Sequence, residues 1–375
     1  MARRKQAEDF YGALRAKACP YVASEIIQLL SQVDRGRVAS LSGKITAYIR
    51  KNVGRAVEKR NSLDSYRTNP YVLMATSRLL DLSDPQRFAD FLFGSKLYMG
   101  LEGAFGKAVE AVAVGEYPLA SAPDHKWRDP PEKLEEFATE RGLNKEEKAR
   151  KRVESVWRDI DKSCVVGKGR YLVSIKSGPN TINDDQVAAI HAAIAKNYPV
   201  WMEQTHSTYR SVQELDIVLG LTYGTPRTTN NKENQVLAKL KASGFVEENR
   251  EERPGVLIDS TNSIRVYRVV GQDFWSFIGN PTSPEESRFV FLEVLVALAR
   301  SLAQGIDEMR FPALVNRKID ELSRALQRLR FPRDGIPEWI QAAITEDEFL
   351  WLATAMTAFF DAETGPQTRL GGEES

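Results

Sequence analysis

The alternation of apolar and polar positions divides the chain into three stretches. Residues 6–62 carry apolar side chains at helical spacing with few breakers, as in VASEIIQLLSQV and KITAYIRKNVGRAVEKR. Such a period predicts helices. Short helices are expected over 70–81 and 84–94. LYMGLEGAFGKAVEAVAV (97–114) predicts another, and its Gly103, Ala104 and Gly106 permit close packing on a sheet or a neighbouring helix. Residues 124–152 are charged throughout and contain Pro130-Pro131, which predicts an exposed helical insertion.

Strand patterns follow. VESVWRDIDKSCVV and RYLVSIKSG flank Gly167-Lys168-Gly169, a tight-turn signal that predicts a β-hairpin. Asn183 with Gln186 three positions later is a helix start, and the helix is expected to reach about Lys196. LDIVLGLTYG (215–224) predicts a third, more buried strand, KENQVLAKLKASGF (232–245) a helix and SIRVYRVVG (263–271) a further strand. Ser283-Pro284-Glu285-Glu286 reads as a capping box with proline at the first helical position, opening a helical region that lasts nearly to the end. The expected organisation is a helical N-terminal region (1–94) for dimer or DNA contacts, a mixed α/β centre (95–280) carrying the insertion at 124–152, and a helical C-terminal region (281–375).

Composition changes this picture little. With 375 residues, 42% of them hydrophobic, and a net charge of +1, the chain suits a globular protein with a sizeable core and no global field. The distribution of charge says more. Residues 1–67 hold fourteen Lys and Arg against six acids, whereas residues 334–375 hold nine acids and one base, Arg369. That asymmetry suits a polyanion-facing end and a solvent-facing end, or two solvated helix faces. Cys19 and Cys164 form neither a disulfide framework nor a zinc cluster, which predicts a reducing cytoplasm. His125, His191 and His206 have no motif context, so a cysteine or histidine mechanism lacks its constellation. The start MARRKQAEDF lacks a signal-peptide core, and the apolar runs are interrupted or too short to span a bilayer. VVGKGRY lacks the spacing of a phosphate loop.

The chemistry concentrates at the hairpin. Residues two apart on a strand share a face. Ser174 and Lys176 therefore share one, as do Asp159 and Asp161 on the expected preceding strand, and an acid should meet a lysine across the hairpin. Magnesium is held by one or two carboxylates, with water and phosphate completing its shell. A lysine beside it can stabilise charge on a scissile phosphate and help the attacking water. The arrangement is chemically suited to cutting phosphodiesters.

DIDKSCVVGKGRYLVSIKSGPNTINDD (159–185) resembles the active-site segment of type II restriction endonucleases of the PD-(D/E)XK superfamily. The extended run SIKSGPNTIND carries most of that likeness, and QDFWSFIG (272–279) is similar to a segment after the core in some relatives. The resemblance implies an α/β fold with a PD-(D/E)XK core, a mixed central sheet flanked by helices. It implies Lys176 as the motif lysine and Asp161 as the hairpin acid, with Asp159 as its alternate. Ser174 departs from the pattern, where the family has Asp or Glu, and cannot supply a second carboxylate. Some relatives with serine there take the acid from a helix. Glu110 is favoured, since family members often place a glutamate on the first core helix; Glu102, Asp184 and Asp185 are further candidates. Asp184 and Asp185 also suit a helix first turn for electrostatic reasons alone.

The implied activity is Mg²⁺-dependent, sequence-specific hydrolysis of double-stranded DNA to 5′-phosphate ends. A homodimer on a palindromic site is implied, with a cognate DNA methyltransferase as genetic partner. The loop YGTPRTTNNKEN (223–234) has the inventory for base reading: Arg227 for guanine, Asn230 and Asn231 for adenine, Lys232 for phosphate, with Asn180 beside the site. The alternatives are a structure-specific or repair nuclease, and a non-catalytic DNA-binding protein that lost its second acid at Ser174.

Overall fold

The computed structural model describes residues 23–60, 63–66, 69–82, 84–117, 126–130, 144, 146, 155–178, 182–225, 227, 232–248, 255–328, 340 and 342–360. By contact the chain forms two units, one of residues 1–46 and 105–302, the other of residues 47–104 and 303–375.

The first unit holds a six-stranded mixed sheet. Its strands are β1 (Lys162–Val166), β2 (Gly169–Lys176), β3 (Glu214–Leu221), β4 (Val246–Glu248), β5 (Gly255–Asp259) and β6 (Ile264–Val270), in the spatial order β1-β2-β3-β6-β5-β4. β2, β3 and β6 run parallel and the outer strands antiparallel. The predicted hairpin is β1–β2, and Gly167 turns it with φ of +58°. Buried β3 sits at the centre, as its apolar run from Ile217 to Leu221 requires, and its buried Asp216 is paired with Arg265. The short strands β4 and β5 are additional to the sequence pattern.

Two helical layers cover the sheet. On one face lie α6 (Asp184–Thr208) and α7 (Lys232–Ala242), packed on Leu172, Leu215, Ile217, Leu219, Ile264 and Val266. The predicted cap of α6 is present: Asn183 accepts from the Gln186 amide, and the Gln186 side chain accepts from the Asn183 amide. The helix runs past the expected end through Pro199, because Trp201, Met202 and Thr205 extend its buried stripe. On the other face, α8 (Gln272–Gly279) buries Phe274, Trp275 and Phe277, with Tyr171 and Tyr267 edge-on to Phe277. Gly220 is required there, since a Cβ would lie 2.4 Å from the Phe274 ring.

The other α-helices among the described residues are α1 (Ala23–Leu30), α2 (Arg35–Ile49), α3 (Arg55–Glu58), α4 (Pro70–Leu79), α5 (Pro85–Ala108), α9 (Val290–Met309), α10 (Phe311–Arg328) and α11 (Glu346–Phe360). In the second unit Tyr66 packs on Phe93, their centroids 6.3 Å apart. Among the described residues no helix is long and apolar enough to cross a membrane.

Four local expectations differ. Residues 155–159 turn instead of extending β1, because the Ser155 hydroxyl accepts from the Trp157 amide and the Ser155 carbonyl from the Arg158 amide. Asp159 therefore lies in a turn and shares no strand face with Asp161. The helices expected over 84–94 and 97–114 are continuous in α5, where the Ser95 hydroxyl bonds back to the Phe91 carbonyl and the turn goes unbroken. Ser283 caps nothing; Asn280 instead accepts from the Thr282 and Ser283 amides, and Pro284–Ser287 is a 3₁₀ turn. Finally, residues 126–130, at the start of the expected exposed insertion, run beside β1. Arg128 bridges Ser163, and Trp127 is buried and donates to the Ile278 carbonyl. The residue before a proline is pushed towards extended backbone, which suits Asp129 before Pro130. Most of 131–152 lies outside the described residues.

Candidate active site

Asp161 is held by its neighbours on both sides. Upstream, Trp157 stacks on Trp201 with centroids 5.9 Å apart, and the Trp201 indole donates to the Val156 carbonyl at 3.0 Å. Ile160 is buried in the core. Arg170 is sandwiched between Trp157 and Tyr209 and donates to the Thr205 hydroxyl. These contacts pin the turn to α6. The Asp161 amide then donates to the Val173 carbonyl, and its carboxylate accepts from the Ile175 amide at 2.7 Å. The paired ladder ends at Lys162↔Val173, and Asp161, also bonded to Val173, bulges out beside Lys162. The carboxylate thus completes the ladder on β2 between Ser174 and Lys176.

Lys176 ends β2, partly exposed, and among the described residues no acid lies within ion-pair distance of it. Its carbonyl accepts from the Thr222 amide, while the Thr222 hydroxyl donates to the Ser177 carbonyl. The Trp275 indole donates to the Thr222 carbonyl. This explains QDFWSFIG as a buttress: α8 braces the ends of β2 and β3 from behind. Gly178 leaves room for the Tyr223 ring, since a Cβ would stand 2.1 Å from it.

Glu110 stands on a π-helical turn, Val109–Ala113, that follows α5. Such turns often mark functional positions in helices. One turn earlier, Gly106 meets the end of β2, where an added Cβ would approach Ser177 to 2.7 Å. The helix therefore needs glycine to come this close, and the half-buried Glu110 follows at the next turn.

A further acid belongs to this region and escaped the sequence reading. A cleft of about 210 Å³, open mouth included, is lined by Ser174, Lys176, Ile182, Ile190, Leu219, Gly220, Glu233 and Val236. Glu233 is 1% exposed, and among the described residues neither carboxylate oxygen has a hydrogen-bond partner. The Ser174 hydroxyl, also buried, has none either. Burial pushes the Glu233 carboxyl above its ordinary value, opposed by its own backbone amide and by the charge of Arg268. A signal for Glu233 was present: Glu233, Val236, Leu237 and Leu240 form one buried stripe of α7, so the glutamate occupies an apolar position of the helix.

The base-reading candidates are less assembled. Arg227 is exposed, with its amide on the Thr225 hydroxyl. The Lys232 ammonium is paired with Asp184, which sets that acid beside a lysine at the start of α6. Asn180, Asn230 and Asn231 lie outside the described residues. Among the described residues no three of His, Cys, Asp and Glu group closely enough to hold a metal ion. A magnesium site needs only one or two carboxylates; Glu233 lines the cleft with Ser174 and Lys176, and the Asp161 carboxylate is held at the Ile175 amide of the same strand.

No curated protein matches the chain. Residues 143–299 match the family model described as Type II restriction endonuclease EcoO109I, a segment that contains Asp161, Ser174, Lys176 and Glu233 and supports a type II restriction endonuclease.

Proposed function

We propose that the chain is a type II restriction endonuclease that hydrolyses double-stranded DNA at a specific sequence, with Mg²⁺, on a PD-(D/E)XK core. The observation that carries this reading is the Asp161 carboxylate bound to the Ile175 amide, one residue from Lys176, inside the matched segment. Asp161 is the principal metal-holding acid in this reading, ahead of Asp159 in its separate turn. Glu110 flanks the site from the helix that reaches Ser177.

Lys176 carries its charge to the scissile phosphate and hydrogen-bonds the attacking water. The water oxygen bonds to phosphorus as the bond to the 3′ oxygen breaks; the water proton passes to solvent, and the 3′ oxygen takes one back. The 5′ side keeps the phosphate. When bound, magnesium neutralises developing phosphate charge and acidifies a water. Ser174 lines the cleft floor without a charge of its own. Arg227, with Asn230, Asn231 and Asn180, reads base edges, and Lys232 exchanges Asp184 for phosphate. Two copies act on the two strands of a palindrome in the cytoplasm, beside a methyltransferase that protects the host site.

The test is incubation with plasmid DNA in magnesium, calcium or excess chelator. Discrete fragments in magnesium are expected, binding without cutting in calcium, and no cutting in chelator. Undiminished cutting in chelator would refute the metal mechanism. A gel shift that never yields fragments would leave a DNA-binding protein that lost its second acid.

A further inference from the structure

A buried carboxylate with few partners is costly, because its charged form loses hydration and regains little. Such groups persist where they serve a site. Glu233 is one, and three features tie it to Ser174. Both line one cleft with Lys176. The strand register runs Ser174↔Leu219↔Arg268 across β2, β3 and β6, so Ser174 and Arg268 share the face on which α7 packs. Among the described residues, Glu233 and Ser174 both carry buried oxygens with no hydrogen-bond partner.

Arg268 is the ordinary explanation for a buried glutamate, and it falls short. Its charge acts on Glu233, but among the described residues the two form no ion pair, and Arg268 Nη1 is itself buried without a partner. The glutamate is therefore not consumed by a structural bridge. Glu233 lines a cleft whose other polar residues are Lys176 and Ser174, its carboxylate oxygens lying beneath the cleft surface.

We propose that Glu233, reaching in from α7, is the inner metal-holding carboxylate that Ser174 cannot provide. The inference rests on the nuclease reading for its function, but the site itself is testable without DNA. In this reading Glu233 and Asp161 would be the acids that hold the cation, and Lys176 would carry its charge to the phosphate. Glu110 holds an outer place. The charge that β2 lacks at Ser174 then comes from a helix three elements later in the chain.

The experiment compares wild type with Glu233→Gln, which keeps shape and removes charge, and with the double variant Glu233→Gln/Ser174→Asp, which returns an acid to the strand. Manganese binding to the full chain is measured by calorimetry and by the manganese-dependent rise in Tm. Circular dichroism confirms the fold of each variant. Glu233→Gln should bind manganese at least tenfold more weakly and lose the Tm rise, and Ser174→Asp in that background should restore much of both. Plasmid cleavage should fall and recover in parallel. Unchanged manganese affinity in Glu233→Gln, or a double variant no better than the single one, would overturn the assignment. Glu233→Ala gives the same answer if the glutamine variant fails to fold. The nuclease reading fails separately: wild type that binds manganese through Glu233 yet never cuts DNA keeps the site and loses the activity.

Discussion

Replacing Asp161 separates its two tasks. Ile175 is 1% exposed, and its amide bonds the Asp161 carboxylate at 2.7 Å. Asp161→Ala orphans that donor, which costs about 1–3 kcal/mol. A unit of this size loses about 2–4 °C of Tm per kcal/mol, so a fall of several degrees is expected. Asp161→Asn keeps an oxygen acceptor in place and loses the charge. Charge-assisted bonds are roughly twice as strong as neutral ones, so the asparagine variant should lose only about 1 kcal/mol. Its Tm should stay close to that of wild type. Cleavage should nonetheless drop about 100- to 1,000-fold in both variants, the usual cost of removing a preorganised electrostatic group from a reaction centre. The assay pairs thermal melts with magnesium-supported plasmid cleavage. Asp161→Asn cutting at more than about a tenth of the wild-type rate, far above that expected loss, would make Asp161 a strand cap and nothing more.

Lys176→Ala and Lys176→Gln should nearly abolish cutting while both proteins still shift DNA, since many Lys and Arg share phosphate contacts; loss of binding equal to loss of cutting would recast the lysine as a DNA anchor. Glu110→Ala should abolish magnesium-supported cleavage without unfolding the protein, and normal cutting would remove Glu110 from the site. Arg227→Ala should weaken specific binding more than binding to random DNA, by about 1–3 kcal/mol of discrimination; equal weakening on all sequences would make Arg227 a phosphate contact. Gly178→Ala should destabilise the fold, because the new Cβ would lie 2.1 Å from the Tyr223 ring, and an unchanged Tm would show that the ring swings aside freely.

Periodicity and turn chemistry made the central hairpin, β3, β6 and the capped start of α6 legible, because local signals and burial agree there. Gly167 carries the positive φ that its turn demands, and Asn183 with Gln186 forms the reciprocal cap. The run before β1 misled because Val156, Trp157 and Ile160 are apolar at strand-like density, yet a serine hydroxyl turns the backbone and a tryptophan stack holds it. Lys176 and Asp161 were candidates from their spacing and the family run around them, and the structure sets the Asp161 carboxylate on the Ile175 amide, one residue from Lys176. Glu233 was hidden for a different reason. It lies more than fifty residues from the motif, and its proximity to Ser174 arises from the parallel pairing of β2 and β3 and the packing of α7, neither of which a linear pattern encodes. Its one linear trace is a charge in the buried stripe of a helix.

Sequencing the ends of DNA digested by the protein tests the account most directly. Mixed plasmid DNA is incubated with the full chain and magnesium, and the fragments are ligated to adaptors that accept only 5′-phosphate ends. The account predicts that the ends share one short recurring sequence with two-fold symmetry, cut at a constant position in both strands. Ends scattered without a common sequence, or intact DNA under conditions where the protein binds it, would contradict a site-specific endonuclease.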